Sequence, residues 1–258
     1  MDIYKILQAT ICPNAEDRNT AIKFLESAAA TNYNEIIEAL ALTLANTEID
    51  SHTRGTAGLY LKNMLVSRSA ALKTVLINKW LALNQEFREK IKDMVIRTLG
   101  TEKTSPSVSA QLISAIAYAE FPINGWHELL PSLTNNISNN TNQDIKEASI
   151  EAVGYICQDL PQGVLTQYSA DLLSNIIQCM KKDQSDRIRS VATKALFNSL
   201  EFVSRNFEID THRNLIMQHV CESAVCRERS IRITGLQCLC KIVTLYYNHM
   251  EAYMTQAL

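Results

Sequence analysis

The sequence predicts an all-α solenoid, a curved stack of paired antiparallel helices, and three observations carry that prediction. The segment Asn142–Leu160 (NQDIKEASIEAVGYICQDL) has a pattern that returns twice at the same interval. Ile145-Lys146, Ala148, Ala152-Val153 and Ile156 are matched by Ile188-Arg189, Val191-Ala192 and Ala195-Leu196, then by Ile231-Arg232, Thr234-Gly235 and Cys238-Leu239, each 43 residues on. Looser copies begin at Val108-Ser109, Thr53-Arg54 and Asp17-Arg18, with intervals of 37, 55 and 36. One copy cannot bury its own apolar face, so each must lean on the next; a two-helix unit of this period is the mark of a HEAT or armadillo array. Third, seven Gly and five Pro in 258 residues leave little turn-forming material, which favours long helices. The prolines, Pro13, Pro106, Pro122, Pro131 and Pro161, fall between periodic segments or at their starts, where a missing N–H costs least.

In chain order, about six repeats are expected, over residues 1–31, 32–69, 84–120, 125–160, 165–206 and 210–248, as one solenoid segment. The first pair is residues 2–11 and 15–30, where Ile3, Ile6, Leu7 and Ile11 share a face and Asn14 with Asp17 marks a helix start. The second is 33–46 and 52–66, broken by the polar turn Asn46–Ser51; Ala57 and Gly58 beside Leu61 and Leu65 permit close helix approach. The 55-residue interval leaves room for an insertion at 70–82, ending at Trp80-Leu81. The third pair is 85–99 and 106–120, with Ser105-Pro106 read as N-cap and first helical residue. The fourth is 125–137 and 143–160, with Asn135–Asn142 read as a loop from its polarity. The fifth is 166–181 and 186–206, joined by Lys182–Ser185, and the sixth is 211–225 and 229–248. Residues 250–258 start a seventh repeat whose Tyr246, Tyr247, Met250, Tyr253, Met254 and Leu258 look like an interior seam, so the chain is expected to be a fragment of a longer solenoid.

Charge and composition exclude several functions. The 25 basic and 27 acidic side chains are interspersed, and nucleic-acid binding needs a clustered basic face instead. No apolar run approaches the roughly 20 residues of a membrane span, and Met1–Tyr4 opens no targeting peptide, so a cytosolic or nuclear protein is expected, without membrane insertion. Seven Cys, an odd number with Cys157, Cys179 and Cys238 on apolar helix positions, fits a reducing compartment.

Catalytic chemistry finds little support. His212, His219, Cys221 and Cys226 form the best metal-ligand cluster, but 212 to 219 is a plain i, i+7 helical column and the spacing matches no zinc pattern. There is no Gly-rich phosphate loop, and Glu147/Glu151, one turn apart, read as a solvated face. A non-enzymatic protein without a cofactor or metal is therefore expected. Binding has a clearer signal. On the helix Tyr168–Met180 the residues Leu172, Leu173, Ile176, Ile177 and Met180 span about 140° of the helix circumference, against the ~100° a core-facing helix needs. That width predicts that Ile177 and Leu173 stand at a surplus edge; Leu215, Ile216, His219 and Val220 repeat the surplus in the next repeat. Two such edges side by side would make a shallow apolar groove for anchors of an extended ligand. Two other readings stay open on the residues alone: a HEAT scaffold assembling a signalling complex, for example with a phosphatase, and a metal-dependent enzyme built on Cys221 and Cys226.

Several strings carry a resemblance. Arg54–Asn63 (RGTAGLYLKN), Thr98–Glu102 (TLGTE), Ala119–Leu133 (AEFPINGWHELLPSL), Glu151–Asp159 (EAVGYICQD), Asn198–Phe202 (NSLEF), Ile216–Gln218 and Lys241–Tyr247 together resemble the amino-terminal part of the importin-β (karyopherin β1) family. The resemblance runs from Met1 to Leu258. It implies a nuclear import receptor that moves between cytoplasm and nucleus through the nuclear pore, binds Phe-Gly repeats of nucleoporins and releases cargo on meeting GTP-loaded Ran. It implies that nucleoporin Phe side chains enter a groove between the outer helices of repeats five and six at Leu173, Ser174, Ile177, Leu215 and Ile216. Family members often carry Thr at position 174, Phe at 215 and an acidic residue at 212, where this chain has Ser, Leu and His. Ran is implied at Lys62, Asn63, Arg68, Gln111 and Tyr155 on the inner helices, and importin-α and cargo at later repeats absent from this sequence.

Overall fold

Each repeat begins its second helix with a polar side chain that caps it, which is why the sequence pattern restarts so sharply. The computed structural model describes residues 3–165, 168–250 and Tyr253. They form two compact units, residues 1–125 and 126–258, and among the described residues there is no strand. In the first unit the helices are α1 Ile3–Thr10, α2 Ala15–Thr31, α3 Tyr33–Ala45, α4 Ser51–Asn63, α5 Ala70–Leu81, α6 Gln85–Arg97 and α7 Val108–Glu120. In the second they are α8 Leu129–Asn139, α9 Gln143–Asp159, α10 Gln162–Leu165, α11 Ser169–Met180, α12 Asp186–Ser199, α13 Ser204–Glu208, α14 Asp210–Ala224 and α15 Arg229–Leu245. The helices pack in pairs, α1 with α2, α3 with α4, α6 with α7, α8 with α9, α11 with α12 and α14 with α15. Neighbouring pairs then stack first helix on first (α3 on α6, α8 on α11, α11 on α14) and second on second (α4 on α7, α9 on α12, α12 on α15).

The side chains of Asn14, Asp50, Ser107, Asn142, Ser185 and Glu228 each accept a backbone N–H in the first turn of a second helix, satisfying donors that the helix cannot. The basic residue of the repeat then ties that helix to the end of its partner. Arg18 Nη1 donates to the Cys12 carbonyl at 3.0 Å, Arg54 Nε to Leu44 O at 2.7 Å and Arg232 Nη1 to Cys226 O at 2.7 Å. Lys146 and Arg189 depart from this, donating to Gln184 Oε1 at 3.0 Å and to Asp186 Oδ1 at 2.8 Å, and α7 carries Gln111 at this position. Arg54 also holds Thr101, through its carbonyl at 2.8 Å and its Oγ1 at 2.6 Å, so the strings RGTAGLYLKN and TLGTE meet in space. Glu102, buried, accepts from Ser107 Oγ and Ser109 N.

Small residues set how closely helices approach. A Cβ on Gly154 would lie 3.2 Å from Ala195 Cα, and one on Gly235 would lie 2.6 Å from Ala224 N. The first marks the α9–α12 approach and the second the α14–α15 approach, and neither leaves room for a larger side chain.

The insertion is α5. It packs on α7 through Trp80, which is fully buried and donates Nε1 to Glu120 Oε1 at 2.7 Å. The same carboxylate takes Arg88 at 2.5 Å and lies 3.6 Å from Lys92 Nζ, with Glu120 and Lys92 both buried. A charged group leaves water only with such partners, and the pairing fixes α5, α6 and α7 to one another.

Three boundaries differ from the sequence expectation, the first being the helix expected over 186–206, which ends at Ser199 and is followed by the separate short helix α13 Ser204–Glu208. The helix expected at Pro106 begins at Val108, capped by Ser107, whose Oγ accepts from Ala110 N. The loop expected over Asn135–Asn142 is helical through Asn139, because Leu129, Leu133 and Ile137 continue one buried face and packing outweighs the weak helix propensity of Asn. Of the expected seventh-repeat seam, residues 251, 252 and 254–258 lie outside the described residues. Tyr246 is buried, stacked on Phe207 with ring centroids 3.9 Å apart, while Tyr247 is exposed.

Candidate functional site

The groove residues lie on α11 and α14, which pack side by side. Leu173, Ile177 and Ile216 are 6%, 1% and 0% exposed, so the surplus edge expected for Leu173 and Ile177 is a buried edge. The reason is the number of neighbours: α11 packs on its partner α12 and also on α8 and α14. A helix covered on three sides uses a wider stripe than one that faces a core on one side. What remains at the surface is Leu215, 43% exposed, on α14 and Ser174 on α11.

The polar edge of this groove is charged. Lys182 Nζ, just past α11, lies 3.7 Å from Glu222 Oε1 on α14. His219 is buried, its Nδ1 3.8 Å from Glu222 Oε2 and without a hydrogen bond. Burial lowers its pKa below the ordinary histidine value, Glu222 opposes that, and Lys181 and Lys182 reinforce it.

On the other side of α11, towards α8, a cleft of about 370 Å³ is open. Leu130, Pro131, Thr134, Tyr168, Asp171 and Ser174 line it. Ser174, exposed on α11, thus borders this cleft as well, whereas Leu173 and Ile177 are buried in the packing of α11. No sequence periodicity marks the cleft, because it depends on how far α8 and α11 stand apart.

Of the residues implied for Ran, the structure brings two together: Lys62 Nζ on α4 donates to Gln111 Oε1 on α7 at 2.9 Å. Asn63 and Arg68 are exposed, at the end of α4 and in the segment before α5. Nearby, Lys73 Nζ stands 3.2 Å from the centre of the Tyr118 ring, a cation–π contact that sequence reading did not find because it joins α5 to α7. Tyr155 stands half-buried on α9 in the second unit, and burial, then Glu151 and Asp159, raise its phenol pKa.

The remaining candidates are dispersed. His212 pairs with Asn206 through Nδ1 at 3.3 Å, Cys221 is exposed and Cys226 half-buried. Among the described residues no group of three or more His, Cys, Asp or Glu is placed to hold a metal ion, and no helix is long and apolar enough to cross a membrane.

Residues 21–101 match the importin-beta N-terminal domain. The whole chain is 36% identical over 260 residues to importin subunit beta-1 of Schizosaccharomyces pombe, and spans 30% of that protein's length. The fold is similar to a crystal structure of importin beta, with a TM-score of 0.92 at 35% identity over 99% of this chain and 30% of the other. It is similar to a Kap95:Nup1 complex, TM-score 0.87 at 30% identity, over 100% of this chain and 31% of that one. It is also similar to Kap95p bound to RanGDP, TM-score 0.92 at 29% identity, over 100% of this chain and 30% of that one. A match in sequence and fold along the full described array, with the domain at its start, means that the chain belongs to the importin-β family.

Proposed function

We propose that this chain is the part of a nuclear transport receptor that engages Phe-Gly nucleoporins and Ran without catalysis, working in the cytoplasm, in the nucleus and at the nuclear pore. The observation that carries the reading is the likeness along the whole chain to a receptor solved with Nup1 and with RanGDP. The nucleoporin site is Leu173, Ser174, Ile177, Leu215 and Ile216. Because Leu173, Ile177 and Ile216 are buried, a Phe ring reaches them only when α11 and α14 part. Exposed Leu215 is the foothold, and the opening cost keeps affinity for one repeat low. Importin-α and cargo bind later repeats of a full-length receptor.

Ran in its GTP form meets Lys62, Asn63, Arg68, Gln111 and Tyr155. Lys62 and Arg68 complement acidic surface on the partner, and the Gln111 bond holds the Lys62 ammonium in place. Two titrations of the 258-residue chain test the proposal, one with a Phe-Gly peptide and one with GTP-loaded Ran. Lys62→Glu should weaken Ran binding several-fold and flatten its salt dependence; unchanged affinity and slope would remove Lys62 from the site. Peptide binding without Ran binding would remove the Ran site alone, and absence of peptide binding would favour a scaffold function.

A further inference from the structure

We infer that Lys194 and Lys241, which converge on the Phe197 ring at the seam between α12 and α15, form a binding site for the carboxylate side chains of an acidic segment of a protein partner. This goes beyond the Phe-Gly and Ran reading and does not depend on it. Lys194 Nζ on α12 and Lys241 Nζ on α15 each stand 4.8 Å from the centre of that ring. The two charges are therefore no more than roughly 10 Å apart, about one screening length at physiological salt, so each still feels the other. Burial pushes the Cys238 thiol up to about 12 and both lysines act against that rise, which sets the two charges beside the same point of the seam.

The packing does not balance these charges. Lys241 is already paired, lying 2.9 Å from Glu201 Oε1 and donating to the Phe197 carbonyl at 3.3 Å, which fixes its ammonium group over the seam. Lys194 is exposed and, among the described residues, faces no carboxylate within ion-pair distance. One carboxylate thus stands against two ammonium groups, and the excess of one positive charge is what a single incoming carboxylate neutralises. The half-buried Phe197 ring holds both ammonium groups and keeps water from one flank, which strengthens their attraction for an anion. Each ammonium group offers N–H donors and no acceptor, so the pair accepts an acidic segment and repels a basic one. Lys241 stands where the repeat places Tyr155 on α9 and Asn198 on α12, at successive intervals of 43 residues. The site therefore lies along one face of the stacked second helices, where an extended segment crosses it.

The test is a titration of the 258-residue chain with a short fluorescent peptide of glutamate, glycine and serine, followed by carbodiimide coupling of its carboxylates to lysine amines and mapping of the adducts. The expected result is coupling at Lys194 and Lys241, affinity that falls as salt rises, and no binding of the matching glutamine peptide. Lys194→Glu should weaken binding about fivefold or more and Lys194→Arg should bind as wild type. Glu201→Gln, which removes the competing carboxylate, should tighten binding, an effect that a purely structural ion pair would not give. Lys62→Glu should leave the peptide unaffected. Coupling at other lysines with Lys194→Glu unchanged would overturn the site, as would a phosphoserine peptide that binds where the glutamate peptide does not. Loss of Ran binding in Lys194→Glu with peptide affinity unchanged would assign the pair to the Ran site instead. No binding of the glutamate peptide by the wild-type chain would overturn this site and leave the Phe-Gly and Ran reading standing.

Discussion

Ile177 and Leu215 separate packing from recognition, because the structure gives them opposite surroundings within the groove assigned to one ligand. Ile177 is 1% exposed and Leu215 43%. Ile177→Asp forfeits the burial of a whole Ile side chain, about 2–3 kcal/mol. It also leaves a carboxylate without a hydrogen-bond partner in the α11 core, at a further cost on the order of 2 kcal/mol or more unless it protonates or the repeat opens. The sum, at least about 4 kcal/mol, falls in the range reserved for severe core defects. Leu215→Asp places its carboxylate in water and should cost under about 1 kcal/mol. The assay is a pair of measurements on each variant, urea unfolding followed by circular dichroism and peptide affinity by titration. The expected pattern is a large shift of the urea midpoint for Ile177→Asp, nearly none for Leu215→Asp, and weaker peptide binding for Leu215→Asp. If Ile177→Asp unfolded within about 0.5 kcal/mol of wild type, Ile177 would stand at an open edge and the account of a fully used stripe would be wrong.

Other perturbations test the framework around the sites. Gly235→Ala puts a Cβ 2.6 Å from the Ala224 nitrogen and 2.7 Å from the Ser223 carbonyl carbon, so α14 and α15 must separate; a loss of about 2 kcal/mol is expected, and a thermal midpoint equal to wild type would contradict the close approach. Glu120→Gln keeps an acceptor for Trp80 but removes the charge facing Arg88 and Lys92; about 3 kcal/mol should be lost in chemical unfolding, with a red shift of tryptophan emission, and retention of both would show the ion pairs to be dispensable. His219 has its pKa lowered in the folded chain, so the unfolded chain binds the proton more readily. Its contribution to stability is complete above about pH 6.5, the unfolded value, and is lost as pH falls from there towards the folded pKa. His219→Asn should therefore flatten the acid side of a stability–pH profile, and an unchanged slope would assign the acid sensitivity elsewhere.

The architecture was legible in the sequence because a HEAT-type repeat is made of local signals. The side chain that caps each second helix, the arginine or lysine that follows it four residues later in all but α7, and the small residues beyond all act within one repeat or on the next. Arg18, Arg54 and Arg232 thus share one position of the repeat in the sequence and one kind of carbonyl partner in the fold. Boundaries failed where packing overruled propensity, as when buried Ile137 carried α8 through Asn135–Asn139. The candidate sites were legible only as a list of residues. Their resemblance to a family named Lys62 and Gln111 separately, but that one holds the other depends on α4 lying against α7.

The sequence by itself determined the all-α class, the paired helices, the insertion near Trp80 and the width of the α11 stripe. Only the tertiary structure decided what that width means. Periodicity measures how much apolar surface a helix carries, whereas exposure depends on how many neighbours cover it, and α11 has three. The same dependence on neighbours closed Leu173, Ile177 and Ile216 inside the packing and left Leu215 and Ser174 at the surface, Ser174 on the rim of a cleft of about 370 Å³ beside α8.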